Sequence, residues 1–316
     1  MPALDAAAEA ESKWLTEALL ERSDCENFRR LYDLRRHMRA MGVIPRFRSP
    51  PPDLAARRSE AMYRLLQSMD QGPEHPSGFA RRTAWFLDIG SSQDGFARYI
   101  LDHSNARGVG VTPPVDGGTG WAIPPDRFEL HQLDLCDLVS RYLQSAPASR
   151  TWPFTRTSFD LVILDADTSS PRILLAQLLL ALHTIHNGGQ ILLKLSCIER
   201  PQSVRVLLSF SRVADYISVS KPSGSPDGRF YLHAQMVRHN TPAYNKLKDN
   251  LKRLWNQIQS THTQDPTWDE EDLITPWGDV LEKSNMDLVV KLGNPLWGTQ
   301  LTALYRALGI GIDQPD

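Results

Sequence analysis

An α/β fold, with a mostly parallel sheet covered by helices on both faces, is what this sequence predicts, and three observations predict it. From Thr83 onward short apolar runs alternate with helical stretches, the pattern of strands buried on both sides. The first run, Ala84 to Ile89, leads into a turn at Gly90 and then a helix. The last two runs are separated only by Lys221 to Arg229, so they pair antiparallel as a hairpin. The chain has 316 residues, more than one domain usually needs, which leaves room for helical extensions or a second domain.

Taken in order, residues 1–53 read as a helical N-terminal extension with a Pro-rich linker. Trp14, Leu15, Ala18 and Leu19, then Leu31, Leu34 and Met38, recur at helical spacing and give two helices. Pro45 and Ser49-Pro50-Pro51-Pro52 cannot continue a helix. The central domain spans 54–240 and opens with a helix from Leu54 to Met69, followed by a loop from Gln71 to Gly78. Its strands are Ala84 to Ile89, Gly108 to Thr112, Glu129 to Leu133, Leu161 to Leu164, Gln190 to Leu195, Tyr216 to Ser220 and Phe230 to Met236. Helices intervene over Phe96 to His103, Ile173 to Ile185 and Val204 to Ser211. Asn187-Gly188-Gly189 reads as the turn that ends the second of these. Over 241–316, Leu247, Leu251, Leu254 and Trp255 predict one more helix in a C-terminal extension whose Trp-containing tail the pattern does not place. Seven strands ending in a hairpin form the Rossmann-like layout of methyltransferases that use S-adenosyl-L-methionine (SAM).

Composition narrows the class. Cys25, Cys136 and Cys197 are odd in number and far apart, which argues against a disulfide framework and a zinc site and for a reducing compartment. No apolar run approaches the ~20 residues that cross a bilayer, and the first residues are acidic and Ala-rich rather than basic then apolar. A soluble protein of the cytoplasm or nucleus, without membrane contact, is expected. The net charge of −2 hides an asymmetry. Arg29, Arg30, Arg35, Arg36, Arg39, Arg46, Arg48, Arg57, Arg58 and Arg64 cluster early, while Asp265, Asp269, Glu270, Glu271 and Asp272 gather late. The arginines, interleaved with Phe28, Tyr32 and Phe47, suit phosphate contact and base stacking on RNA. A solvated helix face accounts for the same charges, and both readings stand.

In open α/β sheets ligands lie at the carboxyl ends of the strands. Asp88 and Gly90 close the first strand. Gly90 permits a sharp turn, and the helix N-terminus beyond it offers free N–H groups. Ser92 stands where a dinucleotide fingerprint needs its second glycine, so the loop suits a ligand without phosphates, such as SAM. Thr112 ends the second strand, where an acid for ribose hydroxyls is common in methyltransferases. Asp134 and Leu135 follow the third, a carboxylate and an apolar side chain suited to the amine and face of adenine; a helix cap is the equal alternative for Asp134. The fourth strand delivers Asp165, and the fifth carries Lys194 inside an apolar run, where pairing with a carboxylate is expected.

The series Asp88-Ile89-Gly90…Gly95-Phe96, Asp160-Leu161-Val162…Asp165, Gly188-Gly189…Lys194 and Lys221-Pro222-Ser223…Phe230-Tyr231-Leu232 resembles the FtsJ/RrmJ family of SAM-dependent RNA ribose 2′-O-methyltransferases over about residues 55 to 238. Within it the chain resembles a fungal branch of FtsJ-like proteins, through Gly110-Val111-Thr112-Pro113-Pro114. The resemblance implies methyl transfer to a ribose hydroxyl by a lysine, aspartate, lysine, glutamate tetrad. Asp165 matches the aspartate and Lys194 the central lysine, whereas Arg64 and Arg229 stand where the first lysine and the glutamate belong. SAM is then the implied cofactor, held by Asp88, Gly90, Ser91, Gly95, Phe96, Thr112, Asp134, Leu135 and Asp165. The alternatives are a methyltransferase fold that has lost catalysis and serves as a binding or scaffold module, and O-methylation of a small molecule.

Overall fold

A computed structural model describes residues 6–42, 54–72, 78–90, 94–114, 126–146, 151–168, 170–261 and 272–309. In chain order the elements are α1 (Ala6–Glu21), α2 (Glu26–Ala40), α3 (Leu54–Asp70), β1 (Trp85–Ile89), α4 (Gly95–His103), β2 (Arg107–Thr112), β3 (Phe128–Gln132), α5 (Leu135–Gln144), β4 (Phe159–Leu164), α6 (Pro171–Thr184), β5 (Ile185–Leu195), α7 (Pro201–Val213), β6 (Ala214–Ser220), β7 (Phe230–Val237), α8 (Pro242–Thr261), α9 (Trp277–Val280) and α10 (Lys283–Leu308). The strands form one sheet in the order β3-β2-β1-β4-β5-β7-β6. β1 to β5 run parallel; β7 lies antiparallel between β5 and β6. This is the seven-stranded, Rossmann-like methyltransferase sheet that the sequence predicts, with its hairpin wedged beside β5.

Strand alternation sorts the core into two layers. Leu87, Ile89, Val162, Leu164, Ile191 and Leu193 face α5, α6, α7 and α8. Phe86, Leu161, Ile163, Leu192 and Tyr231 face α3 and α4. α6 is apolar nearly all round and therefore buried; Ser170 caps it by accepting the Ile173 N–H at 3.4 Å, with Pro171 in the first turn. Two carboxylates, Asp70 buried and Asp160 half-buried, fix the joints. Asp70, at the end of α3, accepts from the Phe79 and Ala80 N–H groups and from the Tyr99 hydroxyl at 2.9 Å. Asp160 accepts the N–H groups of Ala84 and Trp85, both at 2.9 Å, and so anchors the start of β1 to β4.

The terminal extensions pack onto the larger layer. Leu15, Leu19, Phe28, Leu31 and Met38 of α1 and α2 join the same core as α7 and α10, while Trp14 points outward. A fully buried guanidinium, Arg205 of α7, ties the ends together: it pairs with Glu11 of α1 at 2.9 Å and with Asp272 at 2.7 Å, and faces the Trp277 ring at 5.3 Å. A charge so deep is tolerable only with partners of this kind.

One expectation is corrected, and helices are added to those the sequence predicts. β5 begins at Ile185 rather than Gln190, because Asn187-Gly188-Gly189 is carried inside the strand as an irregularity at which the pairing register shifts. The helix α5 is not among the helices the periodicity predicts, although the capping alternative for Asp134 points to it. The unplaced tail supplies α9 and the 26-residue α10, which contains Pro295 and stops at Gly309 in the left-handed region at φ 69°. The linker Ser49 to Pro52 lies outside the described residues. Among the described residues no helix is long and apolar enough to cross a membrane.

Candidate active site

Pairing register assembles the site. Leu164 of β4 is opposite Leu193 of β5, and Lys194 of β5 is opposite Tyr231 of β7. Asp165, Lys194 and Tyr231 therefore fall in one row, on the α3–α4 face by alternation from Ile163 and Leu192. The Lys194 ammonium lies 2.8 Å from Asp165 Oδ1 and also donates to the Asp165 carbonyl. The Tyr231 hydroxyl donates to the same Oδ1 at 2.6 Å and touches Met62 Sδ of α3 at 3.2 Å. Burial, reinforced by the Asp165 charge, pushes the Tyr231 phenol well above its ordinary pKa, so it remains a donor. Asp165 and Lys194 keep only 14% and 16% side-chain exposure. The sequence pattern assigns Tyr231 no role; the β5–β7 register brings it to the row.

The neighbouring strand ends carry the residues expected around SAM. Asp88 is wholly buried at the end of β1 and shares the face of Phe86. Gly90 has φ 75°, and any side chain there would collide with Ala166. The turns after β1 and β4 are thus pressed together, an arrangement fastened by the Asp165 N–H on the Ile89 carbonyl at 2.8 Å. The buried Gln177 of α6 accepts the Ala166 N–H at 3.1 Å. Its signal in the sequence was an amide inside a leucine-rich helix.

Gly95 is required where α4 meets α3, since a side chain there would run into the Ser59 carbonyl and Met62. Phe96 lies fully in the core, edge-on to Tyr231 at 5.4 Å. Thr112 is buried at the end of β2. Asp134 caps α5 by accepting the Asp137 N–H at 2.9 Å, and Leu135 packs on the large core. Ser91 lies outside the described residues.

The two arginines at tetrad positions form their ion pairs away from the row, although the Arg229 charge is felt by Tyr231. Arg64 of α3 is 74% exposed and pairs with Glu60 at 2.8 Å; Arg229 pairs with Asp227 at 2.6 Å. Arg64 nevertheless lines a cavity of about 680 Å³ between α3 and Lys221-Pro222-Ser223. Lys221 is almost fully buried there, donating to the carbonyls of Asp227 and Arg229, and burial lowers its pKa. Burial would raise the Asp227 carboxyl, but the Arg229 hydrogen bond and charge, with Lys221, outweigh it and hold the group below its ordinary value.

The arginine cluster divides in the same way. Arg35 turns inward to Glu199 at 2.6 Å, and Phe28 is buried against Trp297, with ring centroids 5.0 Å apart, instead of being available for stacking. Arg30 pairs with Glu26 at 2.6 Å. Arg36, Arg39, Arg57 and Arg58 are exposed, and Arg46, Phe47 and Arg48 lie outside the described residues.

No family model and no curated protein matches the chain. Among solved structures it is similar to human Methyltransferase-like protein 13 in complex with SAH, with a TM-score of 0.37 and 16% identity over 63% of this chain and 89% of that one. It is also similar to the pyocyanin biosynthetic protein PhzM (TM-score 0.35, 16% identity, 67% and 70% covered). A third is the O-methyltransferase from Bacillus cereus in complex with SAH (TM-score 0.34, 14% identity, 72% and 97% covered). The ground for the fold is the strand order itself, not these scores.

Proposed function

We propose that this chain is a SAM-dependent methyltransferase of the FtsJ-like kind, acting on a ribose 2′-oxygen of RNA. The observation that carries the reading is the row Asp165–Lys194–Tyr231 at the carboxyl edge of the sheet, where open α/β folds bind ligands. The strand-end residues fit the cofactor: carboxylates Asp88 and Asp134 end β1 and follow β3, suited to an ammonium and an exocyclic amine, and Gly90 lets the backbone turn sharply straight after Asp88 and Ile89. When bound, SAM supplies an electrophilic methyl group.

The chain's own residues prepare the acceptor. Both described contacts to the Asp165 carboxylate use Oδ1, which leaves Oδ2 to accept from an incoming hydroxyl and take its proton as the oxygen becomes nucleophilic. The Lys194 ammonium, beside the same carboxylate, stabilises the negative charge that develops on that oxygen. Tyr231 fixes the carboxylate's rotation. Arg57 and Arg64, at the edge of the neighbouring cavity, suit phosphates of a bound strand.

A second reading, a binding module without catalysis, is favoured by one observation: Arg64 and Arg229 engage Glu60 and Asp227 instead of the row. Calorimetric titration with SAM and with S-adenosylhomocysteine decides between them. Micromolar binding, followed by label transfer from SAM to total RNA, supports the proposal. Label in a small-molecule extract instead moves the acceptor to that class; binding without any transfer supports the module, and no heat at all removes the cofactor.

A further inference from the structure

Both terminal extensions reach the loops that flank the reacting row. Arg35 of α2 pairs with Glu199, in the loop between β5 and α7, and donates to the Gln300 side-chain oxygen of α10 at 3.0 Å. The Trp297 indole of α10 donates to the second Glu199 oxygen at 3.1 Å. The Gln300 amide nitrogen then donates to the Pro226 carbonyl at 2.9 Å. Pro226 belongs to the turn 221–229 between β6 and β7. That turn walls the 680 Å³ cavity with Lys221, Pro222 and Ser223, and its Asp227 holds both Lys221 and Arg229.

The turn makes another outside contact, a close approach of Gly228 to Cys197. Its sequence, Lys221-Pro222-Ser223-Gly224-Ser225-Pro226-Asp227-Gly228-Arg229, offers almost no apolar side chain to a core, and segments of this composition are surface loops whose position depends on specific polar contacts. Gly228 packs so closely on Cys197 that a side chain there would strike the thiol. Gln300, only 5% exposed, uses its oxygen toward Arg35 and its nitrogen toward Pro226, so one side chain links α2, α10 and the turn.

We propose that Gln300 is a positioning residue through which the terminal extensions clamp the turn 221–229 and thereby set the wall of the acceptor cavity. The clamp follows from the contacts alone; its bearing on the acceptor rests on the methyltransferase reading. The residue acts through Pro226 and the turn and touches none of the reacting groups.

Gln300→Glu keeps the acceptor for Arg35 and removes the donor to Pro226, so it cuts the clamp selectively. Gln300→Met, which keeps the volume and drops both bonds, serves if the first variant melts early. The full chain is used throughout. Hydrogen exchange of the 221–229 amides is expected to speed up by about fivefold, the weight of one lost buried hydrogen bond. KM for the acceptor is expected to rise by about the same factor, with kcat and SAM affinity within about twofold of wild type. Unchanged exchange overturns the clamp; faster exchange with an unchanged acceptor KM overturns its role at the cavity. Failure of the methyltransferase reading shows separately, as wild-type protein that gives no heat with SAM, and the exchange result then decides the clamp by itself.

Discussion

At the β4–β5–β7 end of the sheet edge, Asp165, Lys194 and Tyr231 satisfy one another at 2.8 and 2.6 Å, whereas at the β1–β3 end each residue of interest answers to a different neighbour. Gly90 makes room for Ala166, Gly95 for the Ser59 carbonyl, and Asp134 caps α5. The first region is a chemical unit made by strand register. The second is a set of packing and capping solutions that leave carboxylates facing the same edge. A charged cluster and a glycine motif thus call for different tests: the cluster should fail in chemistry with the fold intact, and the glycines should fail in folding first.

The largest expected effect lies in the cluster. Asp165→Asn removes the proton acceptor and the partner of Lys194 while keeping the volume, and methyl transfer should fall by about 10² to 10⁴, measured with labelled SAM; a fall of less than tenfold would take Asp165 out of the chemistry. Tyr231→Phe removes only the orienting donor, so kcat should drop about tenfold. Because Tyr231 holds its proton more tightly folded than unfolded, it adds stability that is complete below about pH 10, its ordinary pKa, and lost as the pH rises beyond it. Urea unfolding at pH 9 and pH 11 should therefore show a shallower alkaline decline for Tyr231→Phe than for wild type. An identical decline would mean that the phenol is not held as described.

At the other end the effects should be on stability. Gly90→Ala forces a side chain into the left-handed region and against Ala166, losing about 1 to 2 kcal/mol from backbone strain before the collision is counted. An unchanged unfolding midpoint would show that the two turns can part. Asp134→Ala should lose about 1 kcal/mol as a helix cap. If it weakens SAM binding as well, the residue does more than cap, and the contrast between the two regions narrows.

Much of the fold was legible because its strands are buried on both faces and read as plain apolar runs, such as Leu161-Val162-Ile163-Leu164. What stayed hidden has definite causes. The helix α5 is short, and its cap Asp134 read equally well as a ligand. The Gly188-Gly189 pair signals a turn locally, and Gly188 does take the left-handed φ of 81°, but Gly189 pairs with Val237 of β7, so the strand continues through the irregularity. In the site, Asp165 and Lys194 could be matched from the ends of adjacent parallel strands, while Tyr231 needed the antiparallel register of β7, which sequence alone does not fix. The arginines showed their charge but not their direction: Arg35 finds Glu199 at a separation of 164 residues, beyond any local pattern.

Lys194→Ala, assayed for SAM binding by calorimetry and for label transfer in the same preparation, separates chemistry from binding at the row itself. Binding within about twofold of wild type, together with a loss of transfer of about a hundredfold or more, is the expected result. Turnover that survives the substitution, or wild-type protein that binds no SAM, would contradict it.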